Sequence, residues 1–142
     1  MALRLAIAAA LFAVLALVAW WLERRRRPDA PSQGAAVIPA QLDRAEFGEP
    51  DRPWLVALFT SRSCESCQGL YDRAAPLASN DVAVVEVEYF AQPDLHERYH
   101  IDAAPVTVVA DADGIVRASI VGAFSAPELW DAVATVRAGY SP

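Results

Sequence analysis

Two hydrophobic patterns divide this chain. The first is unbroken: residues 5–22 are eighteen apolar residues in succession, Leu5-Ala-Ile-Ala-Ala-Ala-Leu-Phe-Ala-Val-Leu-Ala-Leu-Val-Ala-Trp-Trp-Leu22. The second begins near residue 35 and comes in short blocks set off by turn formers. Residues 54–60 form a continuous apolar run of strand length, the pattern of a central strand covered on both faces. Residues 82–89 give a second strand signal, rich in valine. Residues 106–110 and 115–121 are strands separated by Asp111-Ala-Asp-Gly114, a hairpin turn whose glycine supplies a positive φ. Between them fall helical patterns. One covers 64–78, with Ser61 or Ser63 as N-cap and Pro76 bending or ending it. A short one covers 93–99 with Pro93 in its first turn. The last covers 125–138, where Ser125 and Glu128 make a capping box and Leu129, Val133 and Val136 share one face. With a short edge strand at 35–38 and a helical turn or two at 42–47, the order is β-α-β-α-β-α-β-β-α.

The leading apolar run changes the picture from one domain to three segments. Eighteen helical residues span roughly 27 Å, about the hydrocarbon thickness of a bilayer, and Trp20 and Trp21 suit the membrane interface. A cleaved signal peptide needs basic residues before the run and small residues after it. Here only Arg4 precedes it, and Glu23 followed by Arg24 to Arg27 comes after. Residues 1–23 are therefore expected to be a retained transmembrane anchor. Residues 24–34 are a basic juxtamembrane segment and a linker containing Pro28-Asp-Ala-Pro-Ser-Gln-Gly34, and residues 35–142 are the domain. The arginine block places the domain on the cytoplasmic side of a cell membrane by the positive-inside rule, with the extracytoplasmic side as the alternative.

Charge narrows the partners. From residue 37 to 142 there are seven arginines against sixteen aspartates and glutamates, a net charge of −9. Such a surface disfavours nucleic acid and is repelled by anionic lipid, so the anchor must hold it at the membrane.

The candidate chemistry lies in Cys64 and Cys67, the chain's two cysteines. They follow the apolar strand directly, in Thr60-Ser-Arg-Ser-Cys64-Glu-Ser-Cys67. A strand that delivers Cys-x-x-Cys to the first turn of a helix makes a dithiol able to exchange electrons. The helix N-terminus favours thiolate at Cys64, and Cys67 stands one turn inward to resolve a mixed disulfide. A metal site would need two further ligands. His96 and His100 have a compatible i, i+4 spacing but fall on a short polar segment, where solvated histidines are expected. No metal or other cofactor is called for. Asp111-Ala-Asp-Gly114 lacks the later ligands of a calcium loop.

Three stretches together carry a resemblance: Cys64-Glu-Ser-Cys67, Tyr99-His-Ile-Asp-Ala-Ala-Pro105-Val-Thr107, and Val121-Gly-Ala-Phe-Ser125. In their setting of strands and helices they make residues 35–139 similar to thioredoxin. The resemblance implies an α/β, thioredoxin-like fold, a central mixed sheet flanked by helices, here preceded by one transmembrane helix. It implies a cis Pro105 facing the dithiol, Ala104 offering its backbone to a bound peptide, and Gly122 lining the same groove. With Arg62 and Ser63 these are the expected substrate-binding residues, and Cys64 and Cys67 the catalytic pair. Two departures stand out. The aromatic residue that precedes the first cysteine in the family is Ser63 here, and the buried acid of the central strand is Leu58. Glu86 on the next strand is then the candidate base for Cys67, while Glu65 opposes a thiolate at Cys64 and Arg62 favours it. The implied activity is a membrane-tethered thiol–disulfide oxidoreductase, of protein-disulfide reductase type, acting on protein disulfides or dithiols together with a further redox partner. The alternative is a redox-inert module that uses the groove to hold one partner at the membrane.

Overall fold

β1 (Trp54–Thr60) is buried along its whole length, as a run without polar alternation requires, since both faces of such a strand must be covered. The computed structural model describes residues 11–18 and 36–139. β1 lies between β2 (Val82–Glu88), which is parallel to it, and β3 (Val106–Ala110), which is antiparallel. β4 (Val116–Val121) pairs antiparallel with β3, giving one mixed sheet in the order β2-β1-β3-β4. The helices are α1 (Leu70–Ala74), α2 (Pro93–Arg98) and α3 (Ala126–Gly139).

Each face of the sheet has its own core. On one face Val56, Leu58, Val82 and Val109 pack under Leu70 and Ala74 of α1 and Leu129 and Val133 of α3. On the other, Leu55, Phe59, Val87, Val106 and Val108 pack against Phe47 and Ile101, with Leu95 of α2 partly buried at the margin. Each fully buried leucine, valine or phenylalanine contributes about 1.5–3 kcal/mol. The capping box of α3 forms as expected, with Ser125 and Glu128 each accepting the other's backbone N–H at 3.4 Å.

Two expected elements differ. The helix over 64–78 is broken: a 3-10 turn at Glu65–Cys67 is followed by extended Gln68 (ψ 130°) and left-handed Gly69 (φ 71°), and α1 starts only at Leu70. Glycine pays no Cβ penalty for that conformation, so it marks where the helical path is abandoned. Pro76 then lies in a second 3-10 turn, Ala75–Leu77, that closes the segment. In place of the edge strand at 35–38, residues 36–39 are not in a strand. Gln41 makes an isolated bridge to Ile115, and the Val116 N–H donates to the Ala40 carbonyl at 3.0 Å. The segment 42–47 is one 3-10 turn, Arg44–Phe47, capped by Asp43.

Of the expected anchor, residues 11–18 are helical. The rest of that run, the paired tryptophans, the arginine block and the linker lie outside the described residues. Among the described residues no helix is long and apolar enough to cross a membrane.

Candidate active site

β1 ends at Thr60, and the chain turns at once. The Cys64 N–H donates to the Ser61 carbonyl at 3.0 Å, and the Ser63 N–H donates to Ser61 Oγ at 3.3 Å. A second tight turn follows, with the Cys67 N–H donating to the Cys64 carbonyl at 3.2 Å. These two turns bring the Cα atoms of Cys64 and Cys67 to 5.4 Å, and the sulfurs are joined in a disulfide. Both cysteines are buried, at 6% and 7% exposure, and cluster with Ala104. Cys64 Sγ lies 3.6 Å from the Ala104 carbonyl oxygen and 3.3 Å from Ser66 Oγ.

The Ala104–Pro105 peptide bond is cis. The Pro105 carbonyl accepts the Gly122 N–H at 2.9 Å, which ties the start of β3 to the end of β4. Gly122 is selected by its backbone, φ 96°, because a Cβ there would meet nothing within 4 Å. The structure thus brings together Cys64, Cys67 and Ala104, and joins Pro105 to Gly122.

The broken helix alters the electrostatics expected at Cys64. A macrodipole needs aligned peptide units, and Cys64 caps only a three-residue 3-10 turn. Stabilisation of a thiolate then falls to local groups. The Ser66 hydroxyl is within reach of the sulfur. The Arg62 guanidinium instead stacks over the Phe90 ring, 4.4 Å from its centroid.

A cavity of about 320 Å³ opens beside the disulfide, lined by both cysteines, Arg62, Asp72, Glu86 and Glu88 among others. Leu58 is fully buried and pairs with Glu86 in the parallel register. Registered residues share a face of the sheet, so the carboxylate of this face is displaced one strand outward from the position that Leu58 fills. Glu86 is exposed, and its Oε1 accepts the Thr60 hydroxyl at 2.8 Å. It therefore stands at the cavity wall and is not a buried base. Ser63 is exposed in the turn before Cys64 and, like Ala104, Pro105 and Gly122, does not line this cavity.

Glu88, two residues along β2, was not singled out by its sequence context. Its Oε1 accepts the Arg62 N–H at 3.0 Å, and its Oε2 accepts the N–H groups of Phe90 and Ala91 at 3.0 and 2.9 Å. Partial burial pushes the Glu88 carboxyl upward, but these three amides and the Arg62 charge outweigh it and hold the group below the usual glutamate range. Period-2 alternation on β2, which places Val82, Val84, Glu86 and Glu88 on one face, was the available signal.

The histidines part company. His96 is 2% exposed, with Nε2 at 2.9 Å from the Val87 carbonyl and Nδ1 at 3.3 Å from that of Ile101. Its ring meets Phe59 and Tyr89 edge-on. The expectation of a solvated His96 fails because the short helix α2 turns this residue into the core. His100 is exposed, at φ 52°. Among the described residues no three potential metal ligands come together.

No family model matches the chain, and no curated protein matches it by sequence. Solved structures do match. A mutant thioredoxin from Halobacterium salinarum is 24% identical, with a TM-score of 0.57 over 70% of this chain and 88% of that one. The germline-specific thioredoxin Deadhead of Drosophila melanogaster is 24% identical, with a TM-score of 0.53 over 61% and 83%. Mitochondrial thioredoxin 3 from Saccharomyces cerevisiae, in its oxidised form, is 24% identical, with a TM-score of 0.51 over 61% and 81%. Likeness at this level establishes the fold.

Proposed function

We propose, for a chain with a thioredoxin-like fold and a disulfide-capable Cys64–Cys67 pair, that it is a thiol–disulfide oxidoreductase that reduces protein disulfides. The observation that carries this reading is the placement of the Cys64–Cys67 disulfide between an open cavity and the Ala104 carbonyl, beside cis Pro105. In the reduced form, the Cys64 thiolate attacks one sulfur of the substrate disulfide and expels the other as a thiolate. The Cys67 thiolate then attacks Cys64 Sγ and releases the second substrate thiolate. Two electrons pass from the Cys64–Cys67 dithiol to the substrate, and the disulfide seen here is the product state. A further redox partner returns the pair to the dithiol.

Glu86 is the proposed acceptor of the Cys67 proton. Its place on the cavity wall, cross-strand from Leu58, supports this role, and the Thr60 hydroxyl orients it. Arg62 and Ser63 on one side of the dithiol, and Ala104, Pro105 and Gly122 on the other, are the proposed substrate-binding residues. The backbone carbonyl of Ala104 is the group placed to meet a peptide.

The chain is further proposed to be tethered to a membrane through residues 1–23. Leu11, Phe12, Val14, Leu15, Leu17 and Val18 lie on a helical stretch and are all exposed, as lipid-facing side chains are in a protein viewed without its bilayer. The arginine block supports a cytoplasmic domain. Labelling of the reduced cysteines in intact cells by a membrane-impermeant thiol reagent would place the domain outside instead.

In a turnover assay that follows reduction of insulin disulfides by dithiothreitol, the full chain accelerates the reaction, and Cys64→Ser loses the acceleration completely. Equal, negligible activity in both forms contradicts the enzyme reading and favours a redox-inert binding module. Glu86→Gln lowers the rate about tenfold near neutral pH, less than the loss of a buried general base would cause, because solvent shares the task at an exposed site. An unchanged rate removes Glu86 from the mechanism.

A further inference from the structure

We propose that Glu88 is a positioning residue for the dithiol: its carboxylate hangs the loop that carries Cys64 from the end of β2.

Three observations converge on it. The carboxylate spans two chain segments, accepting the Arg62 N–H with one oxygen and the Phe90 and Ala91 N–H groups with the other. The Glu88 carbonyl also accepts the Ala91 and Gln92 N–H groups, at 3.1 and 2.8 Å, so the residue is fixed at both ends. The Arg62 side chain returns over Phe90, beside the same anchor. Glu88 thereby closes a clasp between the β1–dithiol loop and the turn that follows β2. Thr60, its partner in the strand register, accepts the Tyr89 N–H at 2.9 Å just below the clasp.

The clasp matters because Arg62 is the second residue of the turn that ends at Cys64. That turn is closed by the Cys64 N–H to the Ser61 carbonyl. Besides Glu88, the Arg62 stacking on Phe90 and the Cys64 contact with Ala104, it is held by contacts between Ser61 and Ser63 that lie inside the turn itself. Charge-assisted bonds to backbone N–H groups are stronger than neutral ones, so the Glu88 carboxylate is the strong external constraint on the loop. When the disulfide opens, this constraint adds to the two tight turns in keeping Cys64 near Cys67. Loss of it leaves the disulfide form tied by its own covalent bond but frees the dithiol form. The dithiol gains freedom, and the effective concentration of one sulfur at the other falls. Disulfide formation becomes less favourable.

This inference rests on the pair being a reversible dithiol, but not on turnover of any protein substrate. It is therefore tested by equilibrating the full chain with reduced and oxidised glutathione. There, two glutathione thiols give two electrons and two protons to the Cys64–Cys67 disulfide and leave as glutathione disulfide. The fraction oxidised is read by alkylation and mass. Glu88→Ala lowers the equilibrium constant for disulfide formation about tenfold, the scale expected for loss of a charge-assisted anchor. Glu88→Gln, which keeps a carbonyl oxygen able to accept the Arg62 N–H, lowers it about threefold. Asp94→Asn, which removes the same charge from the neighbouring α2, changes it by less than twofold. A constant within twofold of wild type in folded Glu88→Ala overturns the proposal, as does an equal shift in Asp94→Asn. If Glu88→Ala does not fold, Glu88→Gln decides: a shift of about threefold supports the role, and an unchanged constant overturns it. A wild-type pair that never equilibrates with glutathione overturns the oxidoreductase reading as well. A reversible wild type with unaffected Glu88 variants overturns the role of Glu88 alone.

Discussion

Reduced Cys67→Ser chain, mixed with a disulfide-containing protein, accumulates a covalent complex through Cys64 that persists at least about a thousandfold longer than in the wild type. In the intact chain two tight turns hold the cysteine Cα atoms 5.4 Å apart. The second thiolate therefore attacks Cys64 Sγ intramolecularly, with the large advantage that a positioned nucleophile has over one arriving from solution. Serine at 67 removes that nucleophile, and its hydroxyl does not replace a thiolate at neutral pH. The complex is read on a non-reducing gel or by mass. Cys64→Ser gives no such adduct if Cys64 is the attacking sulfur. Equal adducts from both variants would reverse or abolish the proposed order of attack, and none from either would support the binding-module reading.

Gly114→Ala destabilises the fold by about 3 kcal/mol or more, from backbone strain combined with a steric clash. For a domain of about 100 residues this lowers Tm by more than about 12 °C. Gly114 lies at φ 78°, and a Cβ there would collide with the backbone carbonyl of Leu42. The approach is close because the Leu42 N–H donates to the Gly114 carbonyl at 2.8 Å, stitching residues 40–42 to the hairpin. The hairpin cannot easily give way. The Asp111 carboxylate accepts the N–H groups of Asp113 and Ile115 and pairs with Arg117 at 2.7 Å. The same hairpin sets Val106 opposite Val121, and so places Pro105 beside Gly122. A loss of site geometry is expected together with the loss of stability. Thermal unfolding followed by circular dichroism tests this, and a Tm within about 2 °C of wild type would show that the close approach is relieved elsewhere.

How far the sequence disclosed this molecule depends on whether a signal was local. β1 was legible because its uncharged, largely apolar run has strand length and is bounded by turn formers, and the β3–β4 hairpin because glycine at 114 is demanded by the turn itself. The capping box at Ser125 and Glu128 is equally local. The segment after Cys64 misled because its apolar positions suit a helix, while the decision belonged to Gly69, whose left-handed conformation interrupts the path. The edge strand expected at 35–38 misled for a different reason. A short apolar stretch carries no information about which strand it will meet, and the contact with the hairpin is made just after it, at Ala40 and Gln41.

At the site, the dithiol and Pro105 are legible as motifs, whereas the surrounding carboxylates depend on how distant segments fold together. Glu86 is the acid on the next strand that could replace the one missing at Leu58, yet it stands exposed at the cavity wall. Glu88 shows the same alternation and makes three backbone contacts, which depend on the turn after β2 folding back over the loop. His96 is comparable: a polar-looking segment hid a residue whose ring fills the space between Phe59 and Tyr89.

The most direct measurement is a single turnover. The fully reduced full-length chain is mixed with insulin in the absence of any other reductant, and protein thiols and disulfides are counted on both partners. One Cys64–Cys67 disulfide forms for each insulin disulfide opened if this pair passes its two electrons to a protein substrate. Intact insulin together with a chain that keeps both thiols would contradict the account.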